Sequence, residues 1–141
     1  MRHLNRTSFT KFCLEKMNVN LLMKKTLIIG ASTNPARYSF LAAHRLVKYG
    51  HSIKMLGLKE GQVAGNQIQT GKPFFENIDT ITLYIGPQHQ PEWYDYIINL
   101  KPKRIIFNPG TENEEFEQLL KKNGIEVQEA CTLVMLSIGA Y

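Results

Sequence analysis

Residues 26–39 read Thr26-Leu27-Ile28-Ile29-Gly30-Ala31-Ser32-Thr33-Asn34-Pro35-Ala36-Arg37-Tyr38-Ser39. Thr26–Ile29 is a short apolar run with two isoleucines, closed by Gly30, and it reads as a buried strand. Ala31 to Arg37 is a loop. From Tyr38 to Tyr49 the residues Phe40, Ala43, Leu46 and Val47 recur at helical spacing. Gly50 follows where a helix C-cap glycine belongs. Strand, loop and helix in that order open a βαβ unit.

The rest of the chain repeats the alternation. Ser52–Leu56, Ile81–Ile85, Arg104–Phe107 and Ile125–Gln128 read as strands. Pro91 starts a helix that runs to Leu100, since proline is favoured in a first turn. Thr111 and Glu114 have the spacing of a capping box, and a helix follows to about Asn123, before Gly124. Cys131–Ile138 forms a last short helix. Residues 57–78, with Gly57, Gly61, Gly65, Gly71 and Pro73, are the least regular part. Parallel strands need a crossover, and helical crossovers are right-handed. The sequence therefore predicts a single-domain α/β fold: a Rossmann-like, doubly wound, parallel five-stranded sheet in three αβα layers.

The chain has 141 residues and a net charge of +5. Residues 1–25 carry six Lys and Arg against one Glu, while residues 26–141 balance at eleven of each sign. The basic excess therefore sits in the N-terminal stretch. No basic face of the kind that binds nucleic acid is expected on the fold. Two cysteines, Cys13 and Cys131, give neither a disulfide framework nor a zinc pattern. No apolar run approaches the roughly 20 residues that cross a bilayer. The expectation is a cytoplasmic protein. Residues 1–22 are expected to be a basic extension, loose or due to an upstream start, and residues 23–141 the domain. A short docked helix using Phe9, Phe12 and Leu14 is the rival for the tail.

In an open α/β sheet a ligand sits beyond the carboxyl ends of the strands, where the strand order reverses. That rule selects the loops 30–39, 57–61, 85–89 and 108–112. The first loop leads from a strand into a helix N-terminus, where exposed amides and the helix dipole favour a phosphate. Gly30 permits close backbone approach, Ser32, Thr33 and Ser39 add hydroxyls, and Arg37 adds charge. Only the first glycine of a G-x-G-x-x-G fingerprint is present. A plain connection capped by Ser39 explains the same residues.

The second loop, Leu56-Gly57-Leu58-Lys59, lacks the acid that NAD-binding domains place at this point. Lys59 suits a phosphorylated ribose instead, which favours coenzyme A or NADP over NAD. A solvated loop lysine is the plainer account. In the third loop Gly86 and Pro87 either form a smooth wall against a ligand or simply end a strand. His89 has no carboxylate or cysteine partner in local sequence and reads as a loop histidine, not a base. The fourth loop, Asn108-Pro109-Gly110-Thr111, either binds a second polar group or serves the capping box. Cys131 precedes an apolar helix; it reads as a buried, inert thiol more readily than a dipole-activated one.

Taken together, these segments resemble a known family. They are Thr26-Leu-Ile-Ile-Gly-Ala-Ser-Thr-Asn-Pro with Arg37, Tyr38 and Ser39; Gly57-Leu-Lys-Glu-Gly; Leu83-Tyr-Ile-Gly-Pro; Ile106-Phe-Asn-Pro-Gly-Thr-Glu-Asn; and Glu129-Ala-Cys-Thr-Leu-Val. The chain from Lys25 onward resembles the small stand-alone CoA-binding proteins of bacteria. It is more distantly similar to the CoA-binding domain of the succinyl-CoA synthetase alpha subunit. The resemblance implies a Rossmann-like fold with the nucleotide phosphates on Gly30, Ala31, Ser32, Thr33, Asn34, Arg37, Tyr38 and Ser39. It implies Lys59 near the ADP portion, Gly86 and Pro87 beside the pantetheine path, and Asn108, Pro109, Gly110 and Thr111 closing the site. The synthetase's phosphohistidine segment has no counterpart, so ligase activity is not implied. The expected function is binding of coenzyme A or an acyl-CoA as a small-molecule nucleotide ligand, without catalytic machinery, metal, nucleic acid or membrane. The alternatives are an NADP-binding or acyl-CoA-processing enzyme, or an interaction module that has lost its ligand.

Overall fold

Thr26, Leu27 and Ile28 have no exposed surface, and Ile29 has 1%. A strand this apolar has both faces covered, so it belongs at the centre of a sheet. The computed structural model, which describes residues 23–141, places it there. Among the described residues there are seven strands: β1 (Thr26–Ala31), β2 (Ile53–Gly57), β3 (Gly61–Val63), β4 (Asn66–Gln69), β5 (Thr80–Leu83), β6 (Arg104–Phe107) and β7 (Glu126–Glu129). Their order across the sheet is β3-β4-β2-β1-β5-β6-β7. All neighbours are parallel except β3 and β4. The order reverses between β1 and β5, which is the switch point of a doubly wound sheet.

Among the described residues, four α-helices cover the two faces: α1 (Tyr38–Lys48), α2 (Tyr94–Leu100), α3 (Glu114–Lys122) and α4 (Thr132–Ser137). Short 3-10 turns at Pro87–His89 and Pro91–Trp93 lead into α2. The sheet's inward residues alternate between two cores. Ile28, Ile53 and Met55 pack with Ala43 and Leu46 of α1 and Leu136 of α4. Leu27, Ile29, Leu83 and Phe107 pack with Ile97 of α2 and Phe116 and Leu120 of α3. This is the expected three-layer αβα arrangement.

The strand count is seven rather than five. The additional pair, β3 and β4, forms an antiparallel ribbon inside the segment expected to be irregular. Ala64 and Gly65, at φ 51° and 75°, make the left-handed two-residue turn that matches the twist of a hairpin. Only Val63 and Ile68 of the ribbon bury apolar side chains. Strands of three and four residues rich in Gln and Asn carry no readable alternation.

Three helix starts also differ from expectation: α2 begins at Tyr94, because Pro91–Trp93 forms a 3-10 turn. Arg37, not Ser39, is the N-cap of α1, and Ser39 is buried in its first turn. The N-cap of α3 is Asn113, two residues after Thr111. Its side chain accepts from the Phe116 amide at 3.2 Å, and the Glu117 carboxylate accepts from the Asn113 amide at 3.1 Å. Thr111 instead donates its hydroxyl to the Asn108 carbonyl at 2.8 Å. The expectations for residues 1–22, Cys13 among them, lie outside the described residues.

Candidate functional site

The strand ends on either side of the switch point enclose a cavity of about 1000 Å³. Small-molecule sites typically span roughly 300–1,000 Å³. From the first loop it is lined by Gly30, Ala31, Ser32, Thr33, Asn34, Arg37, Tyr38 and Ser39. The second loop gives Leu58 and Lys59, the third Gly86 and His89, and the fourth Pro109, Gly110 and Thr111. Of the residues expected at the site, Pro87 and Asn108 are the two outside this lining. Tyr84, Ile85, Glu92 and Trp93 line the cavity without having been singled out from sequence.

The first loop is shaped by close approach. Gly30 has φ +95°, and a Cβ there would lie 2.9 Å from the Tyr84 carbonyl carbon. Any other residue would push the β1 and β5 loops apart. The loop then fastens itself: Ser32 Oγ accepts from the Asn34 amide, and Asn34 Oδ1 accepts from the Ala36 amide, each at 3.0 Å. The Arg37 amide donates to the Asn34 carbonyl at 3.0 Å. Beyond it, α1 has no side-chain cap and no acidic residue in its first turn. The Tyr38 and Ser39 amides at its start have no carbonyl within the helix to reach. An exposed positive helix end thus faces the cavity.

Two cations stand beside it. Arg37 and Lys59 are exposed. Neither is in an ion pair among the described residues, where the pairing found is Lys103 with Asp79 at 3.8 Å. The second loop is held against the first at Gly61. A Cβ on that glycine would come within 2.5 Å of Thr33 Cγ2. Lys59, two residues earlier, lines the same cavity as the first loop.

The opposite wall is built from the third and fourth loops. Asn108 is 3% exposed and serves the wall from behind. Its amide donates to Thr82 Oγ1 at 2.7 Å and to the Leu83 carbonyl at 3.0 Å, and its carbonyl accepts from the Thr132 amide at 2.9 Å. The family resemblance implies that Asn108 helps close the site; here its side chain is turned to Thr82, Leu83 and Thr132. Burial by α4 was not visible from local pattern. Tyr84 lines the floor, and burial pushes its phenol up to about 12, so it remains a neutral donor across the physiological range. Trp93 presents an aromatic face, with the Lys72 ammonium 5.0 Å from its ring centroid on the loop before β5.

His89 and Glu92 line the cavity together, three residues apart on consecutive 3-10 turns. They supply the acid–base groups near the site. Cys131 is the N-cap of α4 and half-buried, outside the lining. No cluster of His, Cys, Asp and Glu able to hold a metal occurs among the described residues. No described helix is long and apolar enough to cross a membrane.

Comparison with known proteins bears on this geometry. Residues 24–137 match a family model described as a CoA binding domain. A crystal structure titled as an uncharacterized protein is 55% identical and superposes with a TM-score of 0.82, covering 84% of this chain and 98% of its own. A Thermus thermophilus structure is 19% identical with a TM-score of 0.75, covering 91% and 98%. A hypothetical protein from Pyrococcus horikoshii OT3 is also 19% identical at 0.75, covering 86% and 89%. At that identity the last two speak for the fold alone. No curated protein matches the chain.

Proposed function

The chain belongs to the family of CoA-binding domains, and from that membership we propose that its cavity takes coenzyme A or an acyl-CoA as a ligand to be sensed, carried or presented. One observation carries the reading. The start of α1 is uncapped, lacks acids and faces a cavity beside Arg37 and Lys59. An anion there would satisfy exposed amides, the helix dipole and two cations at once. Gly30 supports the fit, because without a Cβ it lets the first loop approach the Tyr84 backbone closely.

The polar end of the ligand lies against Ser32 to Ser39, with Lys59 beside the phosphorylated ribose. The neutral pantetheine arm runs past Gly86 toward Gly110 and Thr111. Pro87 borders that path, and Asn108 and Pro109 shape its far side. Lys59 suits the ribose phosphate of NADP equally well, which makes NADP the second reading. An enzyme acting on acyl-CoA could draw on His89 and Glu92, the histidine and the carboxylate that line the cavity among the described residues.

A titration with CoA, acetyl-CoA, dephospho-CoA, NADP, NAD and ADP, followed by thermal shift, tests this. At 100 times its dissociation constant a ligand adds about 2.7 kcal/mol of stability. The expected order is CoA above dephospho-CoA, with NAD weakest. A larger shift with NADP than with CoA transfers the site to the second reading. No shift with any nucleotide refutes both.

A further inference from the structure

Gln90 has no exposed surface, although it lies in a loop at the rim of a cavity. Its Nε2 donates to the Ile85 carbonyl at 3.0 Å and to the Thr111 carbonyl at 2.7 Å. Its Oε1 accepts from Asn113 Nδ2 at 2.9 Å. Asn113 Nδ2 also donates to the Tyr94 hydroxyl at 2.8 Å, while its Oδ1 caps α3. One buried amide therefore joins the third loop, the fourth loop and the start of α3. Ile85 and Thr111, which it holds by their carbonyls, both line the cavity. Gln90 itself does not.

We infer that Gln90 is a positioning residue for the non-nucleotide arm of the ligand: it sets the distance between the third and fourth loops, and so the width of the channel that the arm must enter. The inference rests on the proposed coenzyme A reading for its ligand, but not for its geometry. The nucleotide end lies on the other wall, where Gly61 seats the second loop on Thr33 without help from Gln90. A buried amide with its donors and acceptor all engaged specifies one arrangement. Removing it leaves two backbone carbonyls and the Asn113 amide without that partner, the Thr111 carbonyl in a buried place. The two loops would then separate or admit water, and the part of the cavity between them would lose its shape.

The test compares whole ligand with fragment. Calorimetry on wild type and Gln90→Leu with CoA and with adenosine 3′,5′-bisphosphate gives two affinities for each protein. The ratio of CoA to fragment affinity should fall about tenfold in the variant, with the fragment's affinity unchanged. A purely structural role would lower the melting temperature and leave that ratio alone, and this result overturns the inference. Asn113→Ser is the milder second variant: serine still caps α3 but gives up the donor to Gln90. It should shift the ratio the same way by a smaller factor.

Hydrogen exchange on ligand-free protein provides an arm independent of the ligand's identity. In either variant, segments 85–90 and 109–113 should exchange faster together, with 30–39 unaffected. Faster exchange in one segment alone, or in neither, refutes the coupling. If wild type binds no CoA while this paired change is seen, the ligand reading fails and the coupling of the walls stands.

Discussion

Helices α1 and α3 both begin at the carboxyl edge of the sheet, beside the same cavity, yet their first turns are opposites. At α3 the Asn113 side chain, the Glu117 carboxylate and acids at Glu114 and Glu115 answer the helix from within the chain. At α1 there is no side-chain cap and no acid, and Arg37 stands at the N-cap itself. A helix start that fills its own needs repels an anion, and one that leaves them open invites it. Two equivalent positions in the topology thus differ in function, and side chains decide which one is the ligand's.

The largest expected effect comes from forcing the first and third loops apart. Gly30→Ala places a Cβ 2.9 Å from the Tyr84 backbone at a left-handed φ. It should cost about 3 kcal/mol in urea unfolding and abolish CoA binding in the remaining folded protein. Stability and affinity near wild type would remove the close approach from the account. Next comes Lys59→Ala, which should weaken CoA about tenfold while changing dephospho-CoA little. Equal losses for both ligands would move Lys59 away from the ribose phosphate.

The cap at α3 gives the contrasting result. Asn113→Ala should destabilise by about 1 kcal/mol and leave affinity for adenosine 3′,5′-bisphosphate intact. A large loss for that fragment would mean the two helix starts are not separate in function.

The smallest effect lies at the opposite edge of the sheet. His51 Nδ1 accepts from the Lys24 amide at 2.9 Å, and its ring packs 4.8 Å from that of Tyr141. Burial lowers its pKa first, then the nearby Lys24 and Arg104 charges. The unfolded chain therefore takes up the proton first. Stability is full above the ordinary value of 6.5 and declines as pH falls through the lowered folded value. Replacing His51 by Gln should flatten that decline, seen as the pH dependence of the melting temperature. Ligand affinity at neutral pH should stay the same. An unchanged slope would exclude His51 as its source.

The layout of the fold was legible wherever apolar burial dominated. Thr26–Ile29 and Arg104–Phe107 are buried along their whole length, and their runs announce it. The β3–β4 ribbon was not legible, because each strand buries a single apolar side chain and the rest of its definition comes from pairing with β2 and a local turn. At the site, the four loops follow from topology, so most of the cavity lining could be named in advance. Glu92 and Trp93 escaped because 3-10 turns precede α2 and carry part of its expected first turns to the rim. The capping partner of α3 was misplaced by two residues, since Thr111 has Glu114 at capping-box spacing whereas the acid that answers Asn113, Glu117, lies four residues on. Only three-dimensional context shows that Thr111 is occupied with Asn108.

The contrast between the two helix starts can be read amide by amide in a nitrogen-15 correlation spectrum titrated with CoA. Large, saturable shifts are expected for Thr33, Tyr38 and Ser39, with Glu114, Glu115 and Phe116 nearly still. Shifts concentrated at 114–116, or none at 33–39 under saturating CoA, would contradict that contrast.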